Sequence, residues 1–341
     1  MATLREIGAE LGLSVATVSR ALNGFPEVNE ATRERVRQAA DRLGYRPNRI
    51  AQRLVTGRSG MVGMVVKIKP DMSADQTFFE ILTGLTAALS EREIDLVLAV
   101  DQGADPLQPY EKLLERGILD GFILNAPVRN DPRVDFLQAR GIPFVLHGQD
   151  RADPHYATYG IDNAGVSTQS VNLLAQLGHR RIALLNGDLA NAHAHDRRTG
   201  FLSAMAAQAL EADLLREGAT FESHGYTQAL DLLAGPRPPT AFICTTTIVA
   251  LGAMRAVQDR GLSIPHDISV MAHDDALPFT RAITFDPALT VTRVPMRDAC
   301  TPLANMLVDH LNGTPADRLQ VKLDADLIVR ASTGPAPRGE I

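Results

Sequence analysis

The chain has 341 residues, of which 45% are hydrophobic, 22% charged and 5% aromatic, with a formal net charge of -6 and two cysteines. That length suffices for two or three domains with sizeable cores, while two cysteines exclude a disulfide framework, so Cys244 and Cys300 read as reduced core residues. No apolar run approaches the roughly 18 residues of a membrane span and the first residues lack a signal-like run, which points to a cytoplasmic protein without a membrane partner.

The negative total is unevenly spread. Residues 1–60 hold ten arginines against six acids, a net of +4, leaving -10 on the rest. A basic head on an acidic body attracts phosphate at one end and repels it elsewhere, which orients an encounter with nucleic acid.

In chain order, Thr3 with Glu6 three residues on forms a capping box ahead of an apolar face of Leu4, Ile7 and Leu11. A Gly12-Leu13-Ser14 turn follows, and Ser14 caps a second helix. There Val18, Ala21 and Leu22 point inward, leaving Val15, Ala16, Thr17, Ser19 and Arg20 on the rim or outer face. A third helix fits Asn29 to Leu43, capped by Asn29, buried through Val36, Ala40 and Leu43, and ended by Gly44. A helix pair with a glycine turn is also an ordinary structural hairpin. The basic stretch 44–58 weighs against that reading. Pro47 and Gly57 delimit only about two helical turns, too few to stay helical in water without a partner.

From residue 61 the pattern alternates. Apolar runs Met61–Ile68, Asp95–Val100, Gly121–Asn125 and Pro143–His147 are separated by helical spacings at Phe79–Leu89, Tyr110–Leu114 and a helix ending near Arg140. Four such strands with short crossovers imply a parallel sheet covered on both faces. A second series carries helices at about Asn163–Leu177, Arg197–Ala209, Tyr226–Leu233 and Ile248–Arg260. Its strands fall at Arg181–Leu185, Ala241–Thr245 and Ile268–Ala272. Two α/β units in series imply two lobes with a ligand cleft at the carboxyl ends of their strands. After a strand at Thr290 and a helix from about Pro295 to Leu311, strands at 319–330 return across both lobes. The last residues, 333–341, read as a disordered tail. His193-Ala-His195-Asp196 reads as a loop at a pocket edge, since two histidines two apart diverge on a helix and no cysteine accompanies them. No metal or cofactor is expected. Nor does the chain carry a phosphate-cradling Gly-x-x-x-x-Gly-Lys-Ser/Thr, a Gly-x-Ser-x-Gly elbow or a metal cluster, so an enzyme is not expected either.

The residues Gly12 to Gly24, then Thr32-Arg33, Leu43-Gly44-Tyr45-Arg46-Pro47-Asn48 and Ala51-Gln52-Arg53-Leu54, resemble the headpiece and hinge of the lactose-repressor and galactose-repressor (LacI/GalR) family. The likeness runs without gaps over about sixty residues, and weaker features continue to about 330. It implies an all-α helix-turn-helix headpiece (1–45), a hinge helix (46–59) and a two-lobed α/β periplasmic-binding-protein-like effector and dimerisation domain with parallel sheets (60–332). It further implies a homodimer on a palindromic operator in double-stranded DNA. Carried over by position, Val15, Ala16 and Arg20 face base edges, while Thr17, Ser19 and Asn23 contact phosphates. Leu54 wedges between bases, and Ser14 and Asn48 complete the set. The chemistry agrees: Arg20 can give guanine O6 and N7 two parallel donors, a pairing worth about 1–3 kcal/mol against a wrong base. A leucine wedge bends the duplex at flexible steps.

The same resemblance implies a cleft arginine three residues before a helix glycine, here Arg197 ahead of Gly200, and a cleft aspartate at Asp274. A guanidinium fork and a carboxylate can together grip vicinal hydroxyls. Phe78 and Phe79, at the first strand-to-helix junction, offer a ring face and an apolar wall, or ordinary core packing. The chain departs from the family pattern at Thr245-Thr246-Thr247, where Thr246 replaces a carboxamide, at Ala272-His273, and at Gly148 beside His147. These changes gather at strand ends, with His147 and His273 placed to share in hydroxyl recognition or to stand as solvated loop histidines. The expected function is a transcriptional regulator, mostly a repressor in this family, under allosteric control by a small effector such as a mono- or oligosaccharide. Two alternatives remain: a solute-binding protein without a DNA role, and a regulator with a non-sugar corepressor.

Overall fold

The computed structural model describes residues 2–45, 58–67, 76–101 and 103–338. The chain divides into two compact units, Met1–Ser59 and Gly60–Ile341. Asn48, Leu54 and the expected hinge helix lie outside the described residues.

In the first unit, α1 (Leu4–Leu11), α2 (Val15–Leu22) and α3 (Glu30–Leu43) close around Ile7, Val18, Ala21, Val28, Val36, Ala39 and Ala40. Every start is capped from its own sequence. The Glu6 amide donates to Thr3 Oγ1 and the Thr3 amide to Glu6 Oε2; Ser14 and Asn29 accept from the Thr17 and Thr32 amides. Gly12, in left-handed geometry at φ 67°, makes the turn. At Gly8 a Cβ would lie 2.7 Å from the Leu13 carbonyl oxygen, so only glycine lets α1 meet the turn so closely. Leu43, expected in this core, is 38% exposed, and Ala39 is buried in its place.

In the second unit, the first lobe contains a six-stranded sheet. Its strands are β1 (Met61–Lys67), β2 (Asp95–Asp101), β3 (Gly121–Leu124), β4 (Phe144–His147), β5 (Ala157–Ile161) and β11 (Gln320–Leu323). They run in the order β11-β5-β4-β3-β1-β2, with every pair parallel. The helices of this lobe are α4 (Gln76–Ser90), α5 (Gln108–Glu115) and α6 (Pro132–Ala139). The second lobe's strands are β6 (Ile182–Asn186), β7 (Leu215–Glu217), β8 (Ala241–Cys244), β9 (Ser269–Asp274), β10 (Thr290–Arg293) and β12 (Asp326–Ile328). Here the order is β12-β10-β9-β8-β6-β7, and β12 alone is antiparallel. With it go α7 (Asn163–Gln176), α8 (Ala192–Ala207), α9 (Glu222–Leu233) and α10 (Thr247–Asp259). The chain then crosses back. Helix α11 (Cys300–Leu311) buries Cys300, Leu303 and Leu307 in the first lobe's core, β11 extends that lobe's sheet, and β12 returns to the second.

Three sequence expectations need correction. Strands β5 and β7 were not foreseen, because Ala-Thr-Tyr-Gly-Ile and Leu-Arg-Glu are short and break the apolar run. Helix α8 starts at Ala192, five residues before Arg197, so His193 and His195 belong to a helix and not to a loop. The tail is tied down as far as Ala336: the Gly334 amide donates to Ser269 Oγ (3.1 Å), the Ala336 amide to the Leu177 carbonyl (2.8 Å), and Ser332 is buried. Gly and Pro content suggested disorder there, but backbone groups with partners do not stay loose.

Candidate DNA-reading face and effector cleft

Helix α2 buries Val18 and Ala21 and turns its other side out. Val15 is 44% exposed; Ser14, Ala16 and Arg20 are exposed, while Thr17, Ser19 and Asn23 are half-buried. Residues 15 and 19, and 16 and 20, stand one above the other on that face. The polar groups are held locally. The Ser14 and Thr17 hydroxyls share a hydrogen bond of 2.8 Å, and Asn23 Nδ2 donates to the Ser19 carbonyl at 2.8 Å. The charges are arranged unequally. Arg33 pairs with Glu30, Arg37 with Glu34 and Arg42 with Glu10, whereas Arg20 has no ion pair among the described residues. Its charge stays available to a polyanion.

In the second unit, Arg197 is only 6% exposed. It donates from Nε to Asn163 Oδ1 (2.9 Å) and from Nη1 to the Thr245 carbonyl (2.6 Å) and Thr245 Oγ1 (3.0 Å). Gly200 makes this reach possible: a Cβ there would sit 2.2 Å from the Ala164 carbonyl oxygen, so α8 lies directly on the start of α7, where Asn163 stands. Burial lowers the Arg197 pKa, and the carboxylate of Asp275 opposes that.

Asp275, the neighbour of the expected Asp274, is the carboxylate whose field reaches both Arg197 and His147. Burial alone would raise its carboxyl, but hydrogen bonding to His273 and the fields of His273, Arg197 and His193 hold it below the ordinary range. His273 Nε2 stands 3.4 Å from Asp275 Oδ1, and its Nδ1 lies 3.1 Å from Thr292 Oγ1. Asp274 turns elsewhere: its Oδ1 accepts from the Ala276 amide (2.7 Å) and its Oδ2 lies 3.5 Å from Arg293 Nε. Successive side chains at a strand end take opposite faces, so the two adjacent carboxylates meet different neighbours.

His147 brings the first lobe into the same field. It ends β4, and its Nδ1 is 3.0 Å from Asn125 Oδ1. Burial pushes its pKa down to about 4 against the pull of Asp275. A neutral ring donating from Nδ1 to the amide oxygen leaves Nε2 as an acceptor. His147 is therefore a half-buried hydrogen-bonding group at a strand end and not a solvated loop residue. The lobes also touch at the side of the cleft, where the Ala192 amide donates to the Pro127 carbonyl (2.9 Å) and Arg129 Nη1 lies 2.7 Å from His195 Nε2.

Thr246 is the N-cap of α10, its hydroxyl accepting from the Val249 amide at 3.2 Å, so the expected hydroxyl contact to a ligand falls on an oxygen already engaged. Phe78 and Phe79 stack edge to face at 5.6 Å in the first turn of α4, after the carboxyl end of β1. Phe79 is 49% exposed. Sequence reasoning missed Asn125, Asn163, His193 and Asp275. Of these only Asp275 carried a local signal, being next to the chosen residue.

Residues 3–48 match the lacI family of bacterial regulatory proteins, and residues 171–333 match a periplasmic binding protein-like domain. The chain is similar throughout to the HTH-type transcriptional regulator AglR of Rhizobium meliloti, at 41% identity over 337 residues, covering 98% of this chain and 95% of the relative. The chain belongs to the LacI family. It shares the fold of the lac repressor dimer bound to operator and the anti-inducer ONPF, with TM-score 0.80 and 25% identity over 98% of this chain and 99% of that one. It is also similar to the transcriptional regulator CelR in its cellobiose complex, with TM-score 0.71 and 30% identity over 97% and 100% of the two chains. Like the rest of the LacI family it is a DNA-binding transcriptional regulator, with α1–α3 as its helix-turn-helix.

Proposed function

We propose that this LacI-family regulator is a homodimeric repressor whose affinity for a palindromic operator is set by an uncharged sugar held between the two lobes. Residues 1–45 read DNA, 46–59 form the hinge with Leu54 as wedge and Asn48 as a further DNA-binding residue, and 60–332 hold the effector. The observation that carries the effector reading is that Arg197, held by Asn163 and Thr245 in one lobe, and His147, beside Asn125 in the other, both lie in the field of Asp275. These groups offer donors and acceptors in alternation with opposite charges already matched, which suits hydroxyls better than a second anion. The cellobiose held by CelR supports a saccharide in this position. The reading has no catalytic step, and a DNA ligand places the protein in the cytoplasm; no helix among the described residues is long and apolar enough to cross a membrane.

Fluorescence anisotropy on a labelled palindrome, with and without a panel of neutral mono- and disaccharides, tests this. One sugar should weaken operator binding by about 5- to 150-fold. Tighter binding would make the ligand a corepressor, and indifference to every sugar would sink the effector reading while leaving DNA binding intact.

A further inference from the structure

The two lobes are joined beside the cleft by a small seam of their own. Its first-lobe half is the loop between β3 and α6, where Val128 forms an isolated antiparallel bridge with Asn191 and the Pro127 carbonyl accepts from the Ala192 amide at 2.9 Å. That loop is fixed within its own lobe. Ala126 and Asn130, at φ 49° and 48°, hold a left-handed geometry that a Cβ disfavours, and such strain persists only where neighbours over-determine it. Here the Val128 amide donates to Asp131 Oδ2 (3.1 Å), the Asn130 amide to the Asp150 carbonyl (3.1 Å) and Arg133 Nη2 to the Asn125 carbonyl (3.2 Å). The loop is thus a braced strut presented to the second lobe.

Arg129, exposed on this loop, has Nη1 2.7 Å from Nε2 and 3.4 Å from Nδ1 of His195, near the start of α8. A guanidinium is a donor only and keeps its proton throughout the range in which proteins are folded, so the contact forms only while the ring nitrogen carries a lone pair. A protonated ring would set two cations at hydrogen-bond distance. The other charges about the pair are Asp196 beside His195 on α8, Asp162 just before α7 and Lys322 on β11, the last two joined at 2.9 Å, while Arg198 of α8 is paired with Glu217 at 3.3 Å. Burial raises the pKa of Asp196, against the fields of His195, Arg129 and Lys322. The Asp196 carboxylate attracts Arg129 across the seam, so protonating it acts in the same direction as protonating the ring.

We propose that Arg129 and His195 form a proton-released clasp between the lobes: a neutral imidazole holds the seam shut and a protonated one opens it, so mild acid loosens the cleft without any ligand. Histidine suits this use because it ordinarily changes charge between about pH 5 and 8. The clasp acts on the lobes in the absence of sugar and goes beyond the effector reading; only its consequence for operator binding rests on that reading.

Amide hydrogen exchange of the full-length, sugar-free protein at about pH 8 and about pH 5.5, taken relative to the intrinsic rate at each pH, tests the clasp. Ala192 is the first residue of α8 and has no carbonyl of its own helix to bond, so its protection reports the seam. The Leu184 amide, bonded to the Leu214 carbonyl within the second lobe, is the reference for the fold in every variant. Protection at Ala192 should fall at least about tenfold in acid while that at Leu184 holds. His195→Gln offers Arg129 an uncharged amide oxygen at either pH and should keep Ala192 protected at both. His195→Lys sets the second cation there permanently and should give Ala192 at the higher pH the low protection that the unmodified protein shows at the lower. Protection that ignores pH in the unmodified protein, or that survives His195→Lys, overturns the clasp. So does an equal fall in His195→Gln, which would assign the acid response to the cleft histidines His147, His193 and His273. Because the readout uses neither sugar nor DNA, failure of the effector reading and failure of this one remain distinguishable.

Discussion

Arg20 and Arg197 are the same side chain put to opposite uses. Arg20 stands on an exposed helix face and carries no ion pair among the described residues, while Arg33, Arg37 and Arg42 of its unit are each matched to a glutamate. Arg197 is buried, with Nε and Nη1 committed to Asn163 and Thr245 and with Asp275 compensating its charge. An exposed cation is screened by salt and acts on a polyanion through its charge and its fork. A buried and compensated one acts mainly as a rigid donor array, and its loss is felt by the fold. Position, and not residue type, separates a reading residue from a framing one.

The largest effect expected from breaking this contrast is on the buried side. Arg197→Leu leaves Asp275 with only the histidines His273 and His193 to offset it and takes the donor from Asn163 and Thr245, and should cost about 3–5 kcal/mol of stability in urea unfolding followed on the second unit. Adding Asp275→Leu should recover part of that loss; a double variant as unstable as the single one would mean that Arg197 acts through Asn163 and Thr245 alone. Arg20→Ala should leave stability unchanged but cost about 1–3 kcal/mol of operator affinity, relaxing preference at one symmetric operator position. Equal losses on operator and scrambled DNA would remove Arg20 from base reading and leave it a phosphate contact.

This contrast also governs what could be read from the sequence. The first unit is built of contacts three and four residues apart, so Thr3, Ser14 and Asn29 announce its helix starts and the outward set on α2 follows from helical spacing. The cleft is built of contacts that sequence spacing does not reveal. Asn163 and Thr245 are 34 and 48 residues from Arg197, and Asn125 is 22 from His147. The start of α8 was misplaced because Ala-His-Ala-His-Asp shows no apolar stripe; its helicity comes from packing against the start of α7, which is a tertiary effect. Which of Asp274 and Asp275 has its field on Arg197 depends on the strand face each takes, and a pair of identical neighbours gives no clue to that.

A smaller effect sharpens the comparison through pH. His147 has a folded-state pKa of about 4 against 6.5 for the free side chain, so as pH falls the unfolded chain takes up the proton first. Stability therefore drops between about pH 6.5 and 4 and levels off below, when both states are protonated. His147→Gln should flatten that part of the profile in thermal melts of the second unit. An unchanged profile would assign the drop to the other buried histidines, His273 or His179, whose pKa values burial also lowers.

The smallest effect returns to the exposed side. Ser14 caps α2 and its hydroxyl meets that of Thr17 at 2.8 Å, so one residue both ends the turn and orients a side chain of the DNA-reading face. Ser14→Ala should cost about 1 kcal/mol of helix stability, seen as a lower melting temperature of the first unit, because it leaves an N-terminal amide without its acceptor. Ser14→Gly should cost only a few tenths of a kcal/mol in stability, since glycine is tolerated at that position. Both variants remove the hydroxyl beside Thr17. If operator affinity falls alike in the two despite their different melting temperatures, Ser14 serves the face by orienting Thr17; if affinity follows melting temperature, the cap matters only because it keeps α2 folded.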